Sequence, residues 1–313
     1  MSGPLRLGTR ASKLALAQSG DVAIAVTAAT GREVELVHIS TEGDRDRATP
    51  LTQIGGTGVF VSALRDALLA DEIDFAVHSY KDLPTAAAPG LTIAAVPFRA
   101  DPRDALIARD GLTLEKLPAG ARVGTGAPRR IAQVLSARPD LVCVPIRGNV
   151  DTRMNKVNSG ELDAVVLAVA GLARLGRATE ITEALDPDVL VPAPAQGALA
   201  VECRADDTEM VTLLGAIEAS AARAEITAER SLLAALEAGC SAPVAAWATL
   251  DGETLTLRAR VAALDGTSVL TEARTITVPH PYDSLHTDAE AVGKQLAADL
   301  LAAGADTLMG RTA

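Results

Sequence analysis

Apolar residues return at every second position in EVELVHIS (33–40) and at every third or fourth in VFVSALRDALLADEI (59–73). The first pattern predicts a strand, the second an amphipathic helix. DFAVHSY (74–80) and LTIAAVP (91–97) read as further strands, so the first hundred residues form one sheet-and-helix layer. The pattern restarts after the polar, proline-containing RADPRD (99–104). ARVGTG, LVCVPIR and DAVVLAVA are strand-like, whereas PRRIAQVLSA and NVDTRMNKVNSG are helical, the former entered through Pro128 at no hydrogen-bonding cost. A second α/β layer follows from this.

GALAVECR (197–204) is another strand, which could join either sheet. From about residue 220 the chain predicts a helix through ITAERSLLAALEAG, strands in PVAAWATL, TLTLRARVAAL and VLTEARTITV, and a closing helix in DAEAVGKQLAADLLAAGA. That order suits a small α+β domain. Gly239 is the expected left-handed residue after the helix, with Cys240 on the turn beyond it.

Composition narrows the function. The 313 residues include only 2% aromatics, so Ala, Leu, Val and Ile must build the cores. A net charge of -11 argues against general nucleic-acid or anionic-membrane binding while permitting a local cationic pocket. The N-terminal stretch is interrupted by Arg6, Arg10 and Lys13 and holds no signal-peptide or membrane-spanning run, so a cytoplasmic enzyme is expected. Cys143, Cys203 and Cys240 are odd in number and widely spaced, fitting neither a disulfide framework nor a zinc motif, and no metal site is expected.

Three features carry candidate chemistry. HSYKDLP (78–84) ends a strand, and ligands bind at strand ends in open α/β sheets. There Asp82 could form a loop salt bridge with a neighbour, or hold a developing cation, or a pyrrole or amine N–H. The second feature is a set of cations at strand-to-helix transitions: Arg10 with Ser12, Arg129 with Arg130, Arg147 with Arg153, and Arg174. Arginine matches carboxylates bidentately, so the set suits a polycarboxylate. Phosphate or nucleic acid would suit the same side chains, but GTGAPRR lacks the length and lysine of a phosphate loop. The third is Cys240, either a half-buried free thiol or a nucleophile and attachment point. Cys143 and Cys203 read as packed thiols, and His78 as structural.

Seven stretches, GTRAS, HSYKDLP, GTGAPRR, IRGNVDTR, LAVAGLARLG, PAPAQGALAVECR and EAGCSAP, occur in that order over nearly the whole chain. Together they resemble the hydroxymethylbilane synthase family, also called porphobilinogen deaminases. The resemblance implies an α/β fold of two domains resembling type II periplasmic binding proteins around a cleft, plus a small α+β third domain. Its domains would be 1–98 with 198–217, 103–193, and 220–313. It implies stepwise deaminating condensation of four porphobilinogen molecules on a dipyrromethane cofactor held by Cys240 through a thioether, then hydrolytic release of hydroxymethylbilane.

By the same resemblance, Asp82 is the catalytic carboxylate that faces the azafulvene cation. Arg10, Ser12, Lys81, Arg129, Arg130, Arg147, Arg153 and Arg174 bind cofactor and substrate carboxylates, with Arg129, Arg130 and Arg153 the principal cofactor anchors. Gln196 and Arg204 are supporting positions. The partners are porphobilinogen and the growing polypyrrole, with a monomer expected and no nucleic acid or membrane. The chain departs from common family versions at Thr57, where lysine is frequent, at Tyr80, where methionine is frequent, at Gly126, Ala127 and Pro128, and in PAPAQG. Two other classes share parts of this pattern. A small-anion binding protein leaves Cys240 unexplained, and a thiol hydrolase finds no Cys–His spacing.

Overall fold

The computed structural model describes residues 3–40, 59–239, 242–278 and 284–310. Thr57, Cys240 and His280 lie outside the described residues. The chain divides into two compact units, one of residues 1–100 with 198–223, the other of 101–197 with 224–313.

The first unit opens with strand Leu5–Thr9 (β1), helix Lys13–Thr30 (α1) and strand Val34–His38 (β2). Helix Val59–Leu69 (α2) and strands Phe75–Ser79 (β3) and Leu91–Ala95 (β4) follow. The second unit begins with a strand that the periodicity does not reveal, Asp104–Ala108 (β5), which is buried along its whole length. Strand Arg122–Gly124 (β6), helix Pro128–Ala137 (α3), strand Val142–Val144 (β7), helix Val150–Asn158 (α4), strand Ala164–Ala168 (β8) and helix Val169–Arg174 (α5) come next. A short strand, Glu183–Ala184 (β9), closes this sheet. The chain then returns as Leu199–Arg204 (β10), which pairs antiparallel with β3 and β4 and so joins the first sheet.

Both five-stranded sheets share one order. The first runs β2-β1-β3-β10-β4 and the second β7-β6-β8-β5-β9. In each, four strands run the same way, and the fourth in the order is an antiparallel strand that follows a chain passage from the other unit. These are the two α/β lobes expected from the sequence. After helices Thr208–Leu214 (α6) and Ser220–Ala235 (α7), strands Val244–Asp251 (β11), Thr254–Ala262 (β12) and Val269–Thr277 (β13) form an antiparallel three-stranded sheet. Helix Leu285–Ala302 (α8) packs on it, and a last helical turn spans Ala305–Leu308. The core here is aliphatic, with Leu232, Leu255, Leu257, Val261, Leu296 and Leu300 all buried, as the scarcity of aromatics requires.

The left-handed residue after α7 is Glu237, with φ 48°, and not Gly239. The helix ends about three residues earlier than its apolar pattern suggests, so the turn toward position 240 starts on a strained glutamate. Gly293 has a different role. A Cβ there would lie 2.4 Å from the Ala228 carbonyl oxygen and 2.9 Å from the Leu232 nitrogen, so α7 and α8 cross in backbone contact. Gly293→Ala should therefore lower stability by about 1–3 kcal/mol through overpacking, although alanine favours a helix by about 1 kcal/mol. Denaturant unfolding checks this, and an unchanged or raised midpoint would contradict the close crossing.

Candidate functional site

In the first unit β1 and β3 are parallel neighbours, so both point their C-terminal ends to the same edge of the sheet. Arg10 and Ser12 follow β1, and Lys81 and Asp82 follow β3. Four of the residues singled out in the sequence thus come to one sheet edge. The turn Tyr80–Asp82 is a single 3-10 turn, closed by Leu83 N donating to Tyr80 O at 3.2 Å, with Leu83 buried beneath it. Lys81 is half-buried and Asp82 exposed. Gln18 on α1 donates to Ser79 Oγ at 2.8 Å, and Tyr80 N donates to Ala198 O at 3.1 Å. These two bonds fix the start of the turn from both sides.

Ser12 is the N-cap of α1. Its Oγ accepts from Ala15 N at 3.2 Å, satisfying a helix-end amide, while the hydroxyl proton can still be given elsewhere. His78 is inside the sheet, with Nε2 3.1 Å from Glu202 Oε2 but not aligned as a hydrogen bond. Glu202 also receives Arg65 Nη2 at 2.8 Å. Burial works to raise the Glu202 carboxyl, but His78 and Arg65 outweigh it and hold it below the usual range. Arg204 does not join the site. Leu199 opposes Ser79 while Cys203 opposes Phe75, so Arg204 lies at the far end of the sheet, roughly 17 Å of strand away from the turn. Its guanidinium donates to Leu68 O and Ile73 O at 3.0 and 2.9 Å, holding the segment between α2 and β3.

In the second unit β6, β7 and β8 are parallel, and the remaining arginines follow their C-terminal ends. Arg129 and Arg130 open α3, Arg147 lies between β7 and α4, Arg153 is on α4, and Arg174 ends α5. Arg147 is exposed, and Arg153 and Arg174 are half-buried. Arg153 Nε donates to Gly148 O at 2.8 Å, and Arg174 Nη2 donates to Gly197 O at 2.9 Å. Asn149 caps α4, its Oδ1 accepting from Thr152 N at 2.9 Å.

Arg129 and Arg130 are only 5% and 6% exposed, and their side chains turn inward to Asp104. Asp104 Oδ2 accepts from Arg129 Nη1 at 2.6 Å. Oδ1 accepts from Arg130 Nη2 at 2.6 Å, Arg130 Nε at 3.0 Å, Arg129 Nη2 at 3.2 Å and Gln196 Nε2 at 2.8 Å. Gln196 also donates to Pro102 O at 2.7 Å and accepts from Arg129 Nη2 at 3.1 Å. Burial works to raise the Asp104 carboxyl, but the charges and hydrogen bonds of Arg129 and Arg130 outweigh it and hold it far below the usual carboxylate range. Its stabilising contribution is therefore full above that range and is lost progressively as pH falls from that range to the lower folded-state value.

Asp104 belongs to β5, the strand that periodicity does not announce. Its signal is DALI, a short apolar run behind a charge, which in sequence resembles the end of a linker. Glu229 escapes notice for a similar reason, as one acid on an otherwise ordinary helix. It is fully buried and accepts from Ala195 N at 2.6 Å and Ala248 N at 2.7 Å. Ala195 has φ 63°, a costly conformation for alanine that this bond helps to hold.

Each unit taken by itself suits carboxylates, because cations follow the C-terminal ends of β1 and β3 in the first and of β6, β7 and β8 in the second. Comparison with known proteins agrees. A family model described as "Porphobilinogen deaminase, dipyromethane cofactor binding domain" matches residues 5–212, and another, "Porphobilinogen deaminase, C-terminal domain", matches residues 223–302. The chain belongs to the porphobilinogen deaminase family. It is 58% identical to Porphobilinogen deaminase 1 of Streptomyces coelicolor, over 99% of this chain and 98% of that protein. It is 57% identical to Porphobilinogen deaminase of Thermobifida fusca, over 99% and 97% respectively. Among solved structures, a periplasmic substrate-binding protein of an ABC transporter from Coxiella burnetii is similar over 68% of this chain and 91% of that one, with 15% identity and a TM-score of 0.42. The protein is thus an enzyme of tetrapyrrole biosynthesis that condenses porphobilinogen stepwise, with loss of ammonia, on a dipyrromethane cofactor.

Gly126, one of the positions where the family resemblance leads one to expect another residue, has no room for a side chain. A Cβ at Gly126 would lie 2.7 Å from the Ile146 carbonyl oxygen, one residue before Arg147. Restoring the frequent serine by Gly126→Ser should cost about 1–3 kcal/mol, because backbone must move to admit it. Equilibrium unfolding measures this, and equal stability of the two proteins would show that the loop has room.

Proposed function

We propose that Cys240 carries the dipyrromethane through a thioether, that Asp82 is the catalytic carboxylate, and that Arg10, Ser12, Lys81, Arg129, Arg130, Arg147, Arg153 and Arg174 receive the acidic side chains of cofactor and substrate. The observation that carries this reading is the placing of Arg10, Ser12, Lys81 and Asp82 at the one edge where β1 and β3 both end. The cysteines support it too. Burial pushes the Cys143 and Cys203 thiols up to about 11, so neither is a ready thiolate near neutral pH. That leaves Cys240 as the attachment point by the family pattern.

When bound, the dipyrromethane supplies the pyrrole terminus on which the product grows. Asp82, exposed on its turn, accepts the pyrrole N–H of the incoming substrate. As the C–N bond of the protonated aminomethyl group breaks, the nitrogen departs with the bonding pair as ammonia and leaves positive charge on that pyrrole, where the carboxylate stabilises it; the freed methylene carbon would then bond to the unsubstituted α-carbon of the terminal pyrrole, which gives up its proton to solvent. Lys81 and Arg10 bind carboxylates beside it, so orientation and charge stabilisation come from one rigid edge. After four additions, hydrolysis releases hydroxymethylbilane. The enzyme acts as a cytoplasmic monomer in this reading; among the described residues no helix is long and apolar enough to cross a membrane.

Asp82→Asn keeps the shape and one acceptor oxygen but removes the charge. Each porphobilinogen addition should slow by about a hundredfold or more, on the order of 3 kcal/mol in barrier height, while folding and cofactor content persist. Rapid mixing followed by intact mass resolves single additions on the cofactor-loaded variant. Additions at the unaltered rate would remove Asp82 from the chemistry.

A further inference from the structure

Asp104 lies outside the seven stretches that mark the family resemblance, yet it organises the arginine pair more completely than any other residue. An arginine has five N–H donors. Arg129 gives four inward, two to Asp104 and one each to Val191 O and Gln196 Oε1. Arg130 also gives four, two to Asp104, one to Val166 O and a long one to Gln196 Oε1. One donor remains on each: Nε of Arg129 and the second Nη1 proton of Arg130. Neither guanidinium can grip a ligand carboxylate bidentately while Asp104 is in place.

The charges do not balance. Two guanidiniums face one carboxylate, and Gln196, itself fully buried, is neutral. A pairing made only to hold the fold together would favour one anion per cation, because an uncompensated buried charge is strongly destabilising.

We infer that Asp104 is a positioning residue for the cofactor. It fixes both guanidiniums by their inner donors and leaves the cluster a single positive charge, which an acidic side chain of the dipyrromethane neutralises through one N–H from each arginine. The inference rests on the cofactor-holding role proposed above for Arg129 and Arg130. It accounts for the buried glutamine: Gln196 completes the coordination of Asp104 without cancelling the remaining charge.

The test is Asp104→Asn beside the double variant Asp104→Asn with Gln196→Glu, which moves the one carboxylate across the cluster at nearly constant volume. Arg129→Leu serves as the reference. Each full-length protein is incubated with porphobilinogen, its folded fraction isolated, and bound dipyrrole counted per folded chain by intact mass, a readout that a merely structural role would leave unchanged. Asp104→Asn should load at least tenfold less than the unaltered protein, and the double variant should recover at least threefold of that loss. Folded Asp104→Asn that loads normally would overturn the inference. If Asp104→Asn does not fold, the double variant decides: loading above that of Arg129→Leu supports the inference, and equally poor loading overturns it. Failure of both to fold would make Asp104 a residue of the fold alone, which also overturns it. Normal loading of Arg129→Leu would instead defeat the cofactor-holding role itself.

Discussion

The carboxylate of Asp104 is the constraint that fixes the arginine-bearing edge of the second sheet. It is completely buried, and five N–H groups converge on its two oxygens. Through Arg130 and Val166 O it joins α3 to β8, and through Arg129 and Val191 O it joins α3 to the segment leading to Gln196. Removing one member of such a buried pair costs about 3–5 kcal/mol, because the partner's charge stays behind unpaired.

That constraint matters for function because of where it lies. β5 enters its sheet antiparallel, so Asp104, its first residue, stands opposite Ala168, the last residue of β8. The edge that presents the arginines is therefore also the edge that Asp104 braces. In the first unit the same strand order recurs, and Leu199 of the returning strand stands opposite Ser79, beside the turn that bears Asp82. Each sheet uses its one inserted antiparallel strand to reinforce the end at which parallel strands deliver the candidate site side chains. Helix starts at those ends add backbone N–H groups to the side-chain cations.

Much of this is legible in the sequence. The strands and helices with clear periodicity occur where the pattern puts them; Pro128–Ala137 matches residue for residue. What cannot be read is direction. GTGAPRR announces two arginines, but whether they face a ligand or a buried acid depends on a strand some 25 residues earlier in the chain. Arg204 sits in a family stretch, yet the antiparallel course of β10 carries it to the end of the sheet opposite the turn that bears Asp82. Ser12 has the look of a ligand contact and is also a helix cap, because both tasks ask for a hydroxyl at the same kind of strand-to-helix turn. Gly239 suits the left-handed position because glycine tolerates that conformation best, whereas the chain places Glu237 there. Packing overrules local preference.

In the proposed enzyme the catalytic apparatus is assembled around a dipyrrole joined covalently to one thiol. Intact mass of the enzyme, first native and then fully denatured, followed by peptide mapping, tests it most directly. The mass increment of one dipyrromethane should survive denaturation and reside on the peptide containing Cys240. An increment that dissociates on denaturation, or that maps to the peptide of Cys143 or Cys203, would contradict it.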